Sequence, residues 1–255
     1  MLQILLHFLS VDLLLLNGVN CMYKNKKIVA IIPARKGSKG IPDKNITLLN
    51  GIPLVEHTIK QAKNVEIVDK IIVSTDSDEV SAIAKIYDIE VKGLRPNELA
   101  NDTAILYDVL RYEIKNYDLI SNGFEVLVLL QPTSPLRRSY MIENAIINFI
   151  DENQESAVSV SEVEEHPIFM RTIDKKNKLL KILDIDSTVR RQELPKYYRV
   201  NGMIYINKIN DIEDKYISLN DNMNPIIIPK EYAVDIDSYD DLKIAQEAFN
   251  KLFNV

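Results

Sequence analysis

The sequence predicts an α/β fold: a mostly parallel sheet covered by helices, interrupted by one inserted arm. Three observations predict it. Ile28, Val29, Ala30, Ile31 and Ile32 form an unbroken, largely β-branched block closed by Pro33, the pattern of a strand buried on both faces. Further short apolar blocks at Ile71 to Val73, Val126 to Leu130 and Ala157 to Val160 alternate with stretches of helical spacing, the order that lays helices over parallel strands. From Glu162 to Lys196 that alternation stops, and charges mix with isolated apolar residues around Pro167 and Pro195.

The 255 residues suit one large α/β domain carrying an insertion. With 46% apolar and 27% charged residues the balance is that of a globular protein, and the net charge of -6 argues against nucleic-acid binding, which wants a basic face. The single cysteine, Cys21, excludes an intrachain disulfide and suits a reducing cytoplasm. Residues 1–21 are strongly apolar, but they lack a basic start, and His7 and Asp12 interrupt a run too short to span a bilayer. They are expected to be a mis-set start or a disordered extension without membrane contact, leaving a domain of residues 22–255.

In chain order, the first strand leads into Pro33-Ala34-Arg35-Lys36-Gly37-Ser38-Lys39-Gly40-Ile41-Pro42-Asp43-Lys44-Asn45. Two glycines and a proline exclude a helix there. Arg35, Lys36, Lys39 and Lys44 stand among glycines that let backbone N–H groups converge, at the end of a strand where α/β sheets hold phosphates. The spacing fits neither a Walker loop nor the dinucleotide fingerprint, and the bland alternative is a basic solvated loop. Asn50-Gly51 signals a tight turn, and Pro53 opens a helix through Leu54, Val55, Ile59 and Ala62. Asp76 and Glu79 have capping-box spacing ahead of the next helix, a reading preferred over a catalytic Asp76.

A short strand is expected at Ile89 to Val91. A polar loop through Arg95 to Thr103 follows, then a helix from about Ala104 to Lys115 capped by Asp102 or Thr103. After Leu130, Gln131-Pro132-Thr133-Ser134-Pro135-Leu136-Arg137 is a polar loop held rigid by two prolines. Ser139 is the expected cap of the helix behind it. Gly202 to Ile206 resumes as a strand, Asn207 to Pro229 reads as irregular with Ile226 to Ile228 extended, and a terminal helix runs from Ser238 to Phe253. The arm of residues 162–196 carries Ile168, Phe169, Met170, Ile173, Leu179, Leu180, Ile182 and Leu183 with no sheet position to bury them, which marks a dimer interface.

Ile32 to Asn45, Arg95 to Thr103, Leu129 to Arg137, Arg191 to Tyr205 and Val234 to Leu242 together resemble, in order and spacing, the CMP-N-acylneuraminate synthetases (acylneuraminate cytidylyltransferases). The resemblance covers nearly all of residues 28–250. CMP-Kdo synthetases are less similar, pseudaminate cytidylyltransferases closer, and legionaminate cytidylyltransferases share almost all of these pieces. The resemblance implies a Rossmann-like nucleotidyltransferase fold and a reaction of CTP with a nine-carbon keto-sugar acid, giving CMP-sugar and pyrophosphate with Mg²⁺. It implies Arg35, Ser38, Lys44 and Asn45 on the nucleotide, and Arg95 with the Asn101 to Thr103 turn beside cytosine and ribose. Gln131 and Asn201 would meet sugar hydroxyls, and Tyr205, otherwise a core tyrosine, the acyl group. Arg191 or Arg190 would take a carboxylate or phosphate. Tyr216 is one candidate for acyl selection.

Asp235 and Asp237 are the expected metal ligands. Two apart in an extended segment, they point to one side, and Mg²⁺ takes one or two carboxylates together with phosphates and waters. Their bland alternative is a pair of acids capping the last helix. Arg35, Lys44 and Asp237 are the expected catalytic set, since charge builds on departing pyrophosphate and cations, fixed N–H groups and metal stabilise it. The resemblance further implies a homodimer whose arm crosses to deliver Arg191, and by substitution Arg171, opposite the partner's Lys44. Two rivals stand beside this reading: a nucleotidyltransferase acting on a sugar 1-phosphate, and an inactive nucleotide-sugar-binding homologue.

Overall fold

The first apolar block forms strand β1, Lys27–Pro33, and its residues Ile28 to Ile32 are completely buried. Ile28, Ala30 and Ile32 enter one hydrophobic cluster, while Val29 and Ile31 enter a second on the opposite face, because successive side chains leave a strand on alternate sides. The computed structural model describes residues 22–254 apart from 186, 187, 189, 191, 193 and 215–217. The expectations for residues 1–21, Arg191 and Tyr216 therefore lie outside the described residues.

β1 is followed by a hairpin of β2, Leu48–Leu49, and β3, Ile52–Pro53. Asn50 and Gly51 both take positive φ there, 48° and 74°, as a two-residue hairpin turn demands. Next come α1, Leu54–Lys63; β4, Lys70–Ser74; α2, Asp78–Ile86; α3, Asn97–Ala100; and α4, Leu106–Asn116. β5, Phe124–Leu129; α5, Ser139–Asp151; and β6, Ser156–Glu162, lead to the arm, which holds a small hairpin of β7, Arg171–Ile173, and β8, Leu179–Lys181. β9, Tyr198–Lys208; α6, Ile209–Asp214; β10, Asn224–Ile227; and α7, Tyr239–Phe253, complete the chain.

The main sheet has the order β10-β6-β9-β5-β1-β4. β9 alone runs antiparallel to its neighbours, pairing Glu162 with Tyr198 and Leu129 with Tyr205. Its amino-terminal half thus lies at the edge where β1, β5 and β6 end, and the loops after β1 and β5 gather there too. Among the described residues no helix is long and apolar enough to cross a membrane.

Several local expectations are corrected. The cap of α2 is Ser77, whose hydroxyl accepts from the Val80 N–H; Asp76 instead accepts a hydrogen bond from the Lys36 N–H at 2.7 Å. No strand forms at 89–91, because the Tyr117 hydroxyl serves that backbone, donating to Glu90 O and accepting from Lys92 N. α4 starts at Leu106 without a side-chain cap. Asp102 is drawn to Arg35 and Lys39, and the Thr103 hydroxyl to Asn101. Ser139 is the first helical residue of α5 rather than its cap, its N–H held by Gln61. The stretch from Asn207 is more regular than its composition suggests, since it contains α6 and β10. In the arm Ile168 is buried, whereas Phe169, Ile173, Leu179 and Ile182 remain exposed on this chain.

Candidate active site

The loop after β1 is held open by packing rather than by repeating structure. A β carbon on Gly40 would lie 1.8 Å from the carbonyl oxygen of Asp237, so only glycine lets the loop lie against the segment before α7. Asp43 takes left-handed backbone, φ 50°, a conformation Asp tolerates better than most residues, and turns the chain into a short 3₁₀ segment, Lys44–Ile46. That segment delivers Lys44 and Asn45 to the same place. The Asn45 amide donates to Arg35 O at 2.8 Å, and the Lys44 ammonium donates to Ile236 O at 2.9 Å and Asp237 Oδ1 at 2.7 Å.

Around this loop opens a cleft of about 420 Å³ lined by Arg35, Gly37, Ser38, Lys44, Asn45, Arg95 and Asn101, and also by Gln131, Asp235 and Asp237. Thr103 is not part of that wall; its N–H and hydroxyl both donate to Asn101 Oδ1, fixing the turn. Asp102, expected as a cap or within the Asn101 to Thr103 turn, pairs with Arg35 at 2.7 Å and Lys39 at 3.5 Å. Those cations hold its carboxyl below the usual range, the hydrogen bond from Arg35 most of all.

Arg95 is buried and gives three N–H groups to the protein: Nε to Ser74 Oγ, Nη2 to Ser74 O and Nη1 to Leu99 O. The Ser74 hydroxyl in turn donates to buried Glu113 at 2.6 Å. Burial raises the Glu113 carboxyl above its usual range against its hydrogen bonds and Arg95. A carboxyl raised in the folded state disfavours folding increasingly as pH rises through that pKa. Glu113→Gln is therefore expected to raise Tm relative to the parent at about pH 8 and to lose that advantage near about pH 4, where both side chains are neutral. Equal Tm differences at the two pH values would contradict this.

A second cleft, of about 660 Å³, is lined by Gln131, Arg199, Asn201, Gly202, Tyr205 and Asn220, and it also includes Asp235 and Asp237. Asn201 is braced at both ends, donating to Ser161 Oγ and accepting from Met203 N. The Tyr205 hydroxyl donates to Asn220, and burial first, then the charge of Asp235, raises its pKa. Arg199, the cation of this wall, was missed from the sequence; its spacing of two from Asn201 on a strand was the signal available. Arg171 lies on neither wall and donates to Ile168 O and Met170 O within the arm.

Asp235, Asp237 and Gln131 line both clefts. Ile236 between the two acids is fully buried while they face outward, so the alternation expected of an extended segment holds. Neither acid caps α7: Ser238 and Asp241 form a complete capping box. Asp235 lies beside Thr133, and its carboxyl is raised by burial first and by the charges of Asp237 and Asp241. Among the described residues no group of three or more acids, histidines or cysteines is placed to hold a metal. A two-carboxylate set beside a cleft lined by Arg35 and Lys44 nonetheless fits Mg²⁺, which takes its remaining ligands from phosphates and water.

The profile of the family described as Cytidylyltransferase matches residues 29–222. The N-acylneuraminate cytidylyltransferase of Streptococcus agalactiae serotype V is 37% identical over 84% of this chain, which spans about half (51%) of that relative's length. The CMP-N,N'-diacetyllegionaminic acid synthase of Legionella pneumophila is 35% identical over 83% of this chain and 91% of its own. In fold, the chain is similar to a CMP:2-keto-3-deoxy-manno-octonic acid synthetase solved with CTP, with a TM-score of 0.66 at 16% identity, covering 89% of this chain and all of that one. A family profile running from the first strand to the loop before β10, over a sheet that such enzymes share, makes the chain a member of the cytidylyltransferase family.

Proposed function

We propose that the protein joins CTP to a nonulosonic (sialic-type) acid, forming a CMP-sugar acid and pyrophosphate. The observation that carries this reading is the meeting of two clefts at one pair of carboxylates, Asp235 and Asp237. The first cleft has the cations and loop N–H groups that suit a triphosphate; the second has the amide, tyrosine and arginine side chains that suit a polyhydroxy acid. A sugar hydroxyl presented from the second side attacks the α-phosphate held in the first. Arg35, Lys44 and the loop amides then take up the charge developing on pyrophosphate. Mg²⁺ bound by Asp235 and Asp237 would neutralise phosphate charge at the junction.

An acylated neuraminate is the first-choice sugar. A legionaminate is the second reading, supported by the relative of that activity whose length this chain nearly spans. The reaction belongs in the cytoplasm, a setting consistent with the single cysteine. A homodimer with shared sites accounts for the apolar residues that the arm leaves exposed on one chain. The test is pyrophosphate release with each of CTP, UTP, ATP and GTP, against N-acetylneuraminate, legionaminate, pseudaminate and Kdo. Release only with CTP and a nine-carbon acid is expected. Turnover of UTP, ATP or GTP in place of CTP, or tight CTP binding without turnover of any acid, would overturn the proposal.

A further inference from the structure

We infer that Arg137 is a positioning residue for the sugar acid: its guanidinium ties the Gln131 loop to β9 and so sets the spacing of the second cleft's walls. The inference rests on the functional reading above. Arg137 is only 1% exposed. It donates from Nη1 to Met203 O and from Nη2 to Gln131 O at 3.0 Å and Thr58 Oγ1 at 2.8 Å. One side chain thus joins the loop after β5, the middle of β9 and helix α1.

Gln131, Asn201 and Gly202 line the second cleft, so two of the three anchor points sit directly on or beside its walls. Those walls already touch. Gly202 has φ +73°, and a β carbon there would lie 2.8 Å from Gln131 Oε1. A small slip between the loop and β9 therefore moves the Gln131 side chain across the site.

The chemistry of Arg137 favours such a role over simple support of the fold. No carboxylate pairs with it among the described residues, and its Nε has no acceptor. Burial alone lowers its pKa to about 9. A buried charge without a counter-ion is costly, and an apolar side chain of similar volume commonly serves stability better. What the planar guanidinium provides, and neither lysine nor methionine can, is a rigid fork reaching three acceptors at once.

The experiment compares Arg137→Lys, Arg137→Met and Thr58→Val with the parent, using CTP and the acid that the parent turns over. Thr58 is on neither cleft wall, so Thr58→Val removes one anchor without touching substrate. In the Arg137 variants KM for the acid is expected to rise about tenfold or more, and in Thr58→Val about threefold, with KM for CTP within about twofold. Arg137→Lys should fail like Arg137→Met, because charge without the fork does not hold the walls. An acid KM within about twofold of the parent in Thr58→Val and in any folded Arg137 variant overturns the inference, as does a parallel rise in KM for CTP. If the Arg137 variants do not fold, Thr58→Val decides. If the parent turns over no acid, the functional reading fails. Amide exchange at residues 131 and 201–203 then decides the tether: faster in Thr58→Val supports it, and unchanged overturns it.

Discussion

Lys44→Ala is expected to lower kcat/KM by about a thousandfold while Tm shifts by no more than a few degrees. The ammonium is held at the cleft by Ile236 O and Asp237, where the proposed reaction would set it against the charge growing on pyrophosphate. Its loss strands no buried charge, since the Asp237 side chain is 76% exposed in the pair, and exposed ion pairs contribute little to stability. Steady-state kinetics with thermal unfolding check both halves, and activity within about fivefold of the parent would sink the phosphate assignment. The same variant tests the shared site. Mixed with an Arg191→Ala homodimer under verified subunit exchange, it should regain activity if the arms cross, because one site of each heterodimer then keeps both residues. No recovery would mean that each arm serves its own subunit.

Asp237→Asn is expected to raise the Mg²⁺ concentration for half-maximal rate by about tenfold or more and to cut kcat about a hundredfold. Stability should change little, because the capping box of α7 belongs to Ser238 and Asp241. The substitution also removes one of the charges that raise the Asp235 carboxyl, so the remaining ligand is more readily ionised and the loss reflects a missing donor rather than a protonated one. Metal titrations of rate, together with the thermal shift produced by Mg²⁺ and CTP, give two independent readings. An unchanged metal response with lowered Tm would return Asp237 to a structural role.

What was legible in the sequence was whatever local chemistry specifies. The apolar block of β1 cannot be anything but a doubly buried strand, and a loop of glycines and cations after it can fold only as an open loop. Asp235 and Asp237 could be placed on one side because an extended segment alternates. The failures are of another kind. Ser77 and Asp76 are both good caps, and only Lys36 N, forty residues away, decides that Asp76 is taken elsewhere. Asp102 has a helix to cap until Arg35 claims it. The Lys44–Asp237 pair spans 193 residues, and Arg137 reads as an ordinary loop arginine until Met203 O and Thr58, 66 and 79 residues away, join Gln131 O around it. In each case a contact remote in the chain outcompetes a local preference worth about 1 kcal/mol.

The single reversed strand of the sheet has a consequence for how such a protein can vary. Because β9 runs back beside β6, the arm leaves the sheet at Glu162 and re-enters at Tyr198, two residues that face each other across one ladder. The excursion of about 35 residues between them is a closed loop on a fixed base, and doubling its length would add only about 0.6 kcal/mol of closure entropy. Its base opens next to Arg199 and Asn201, on the wall of the second cleft. Changes of length or sequence in the arm can therefore reshape the wall of the second cleft while the strand pairing at its base stays in place.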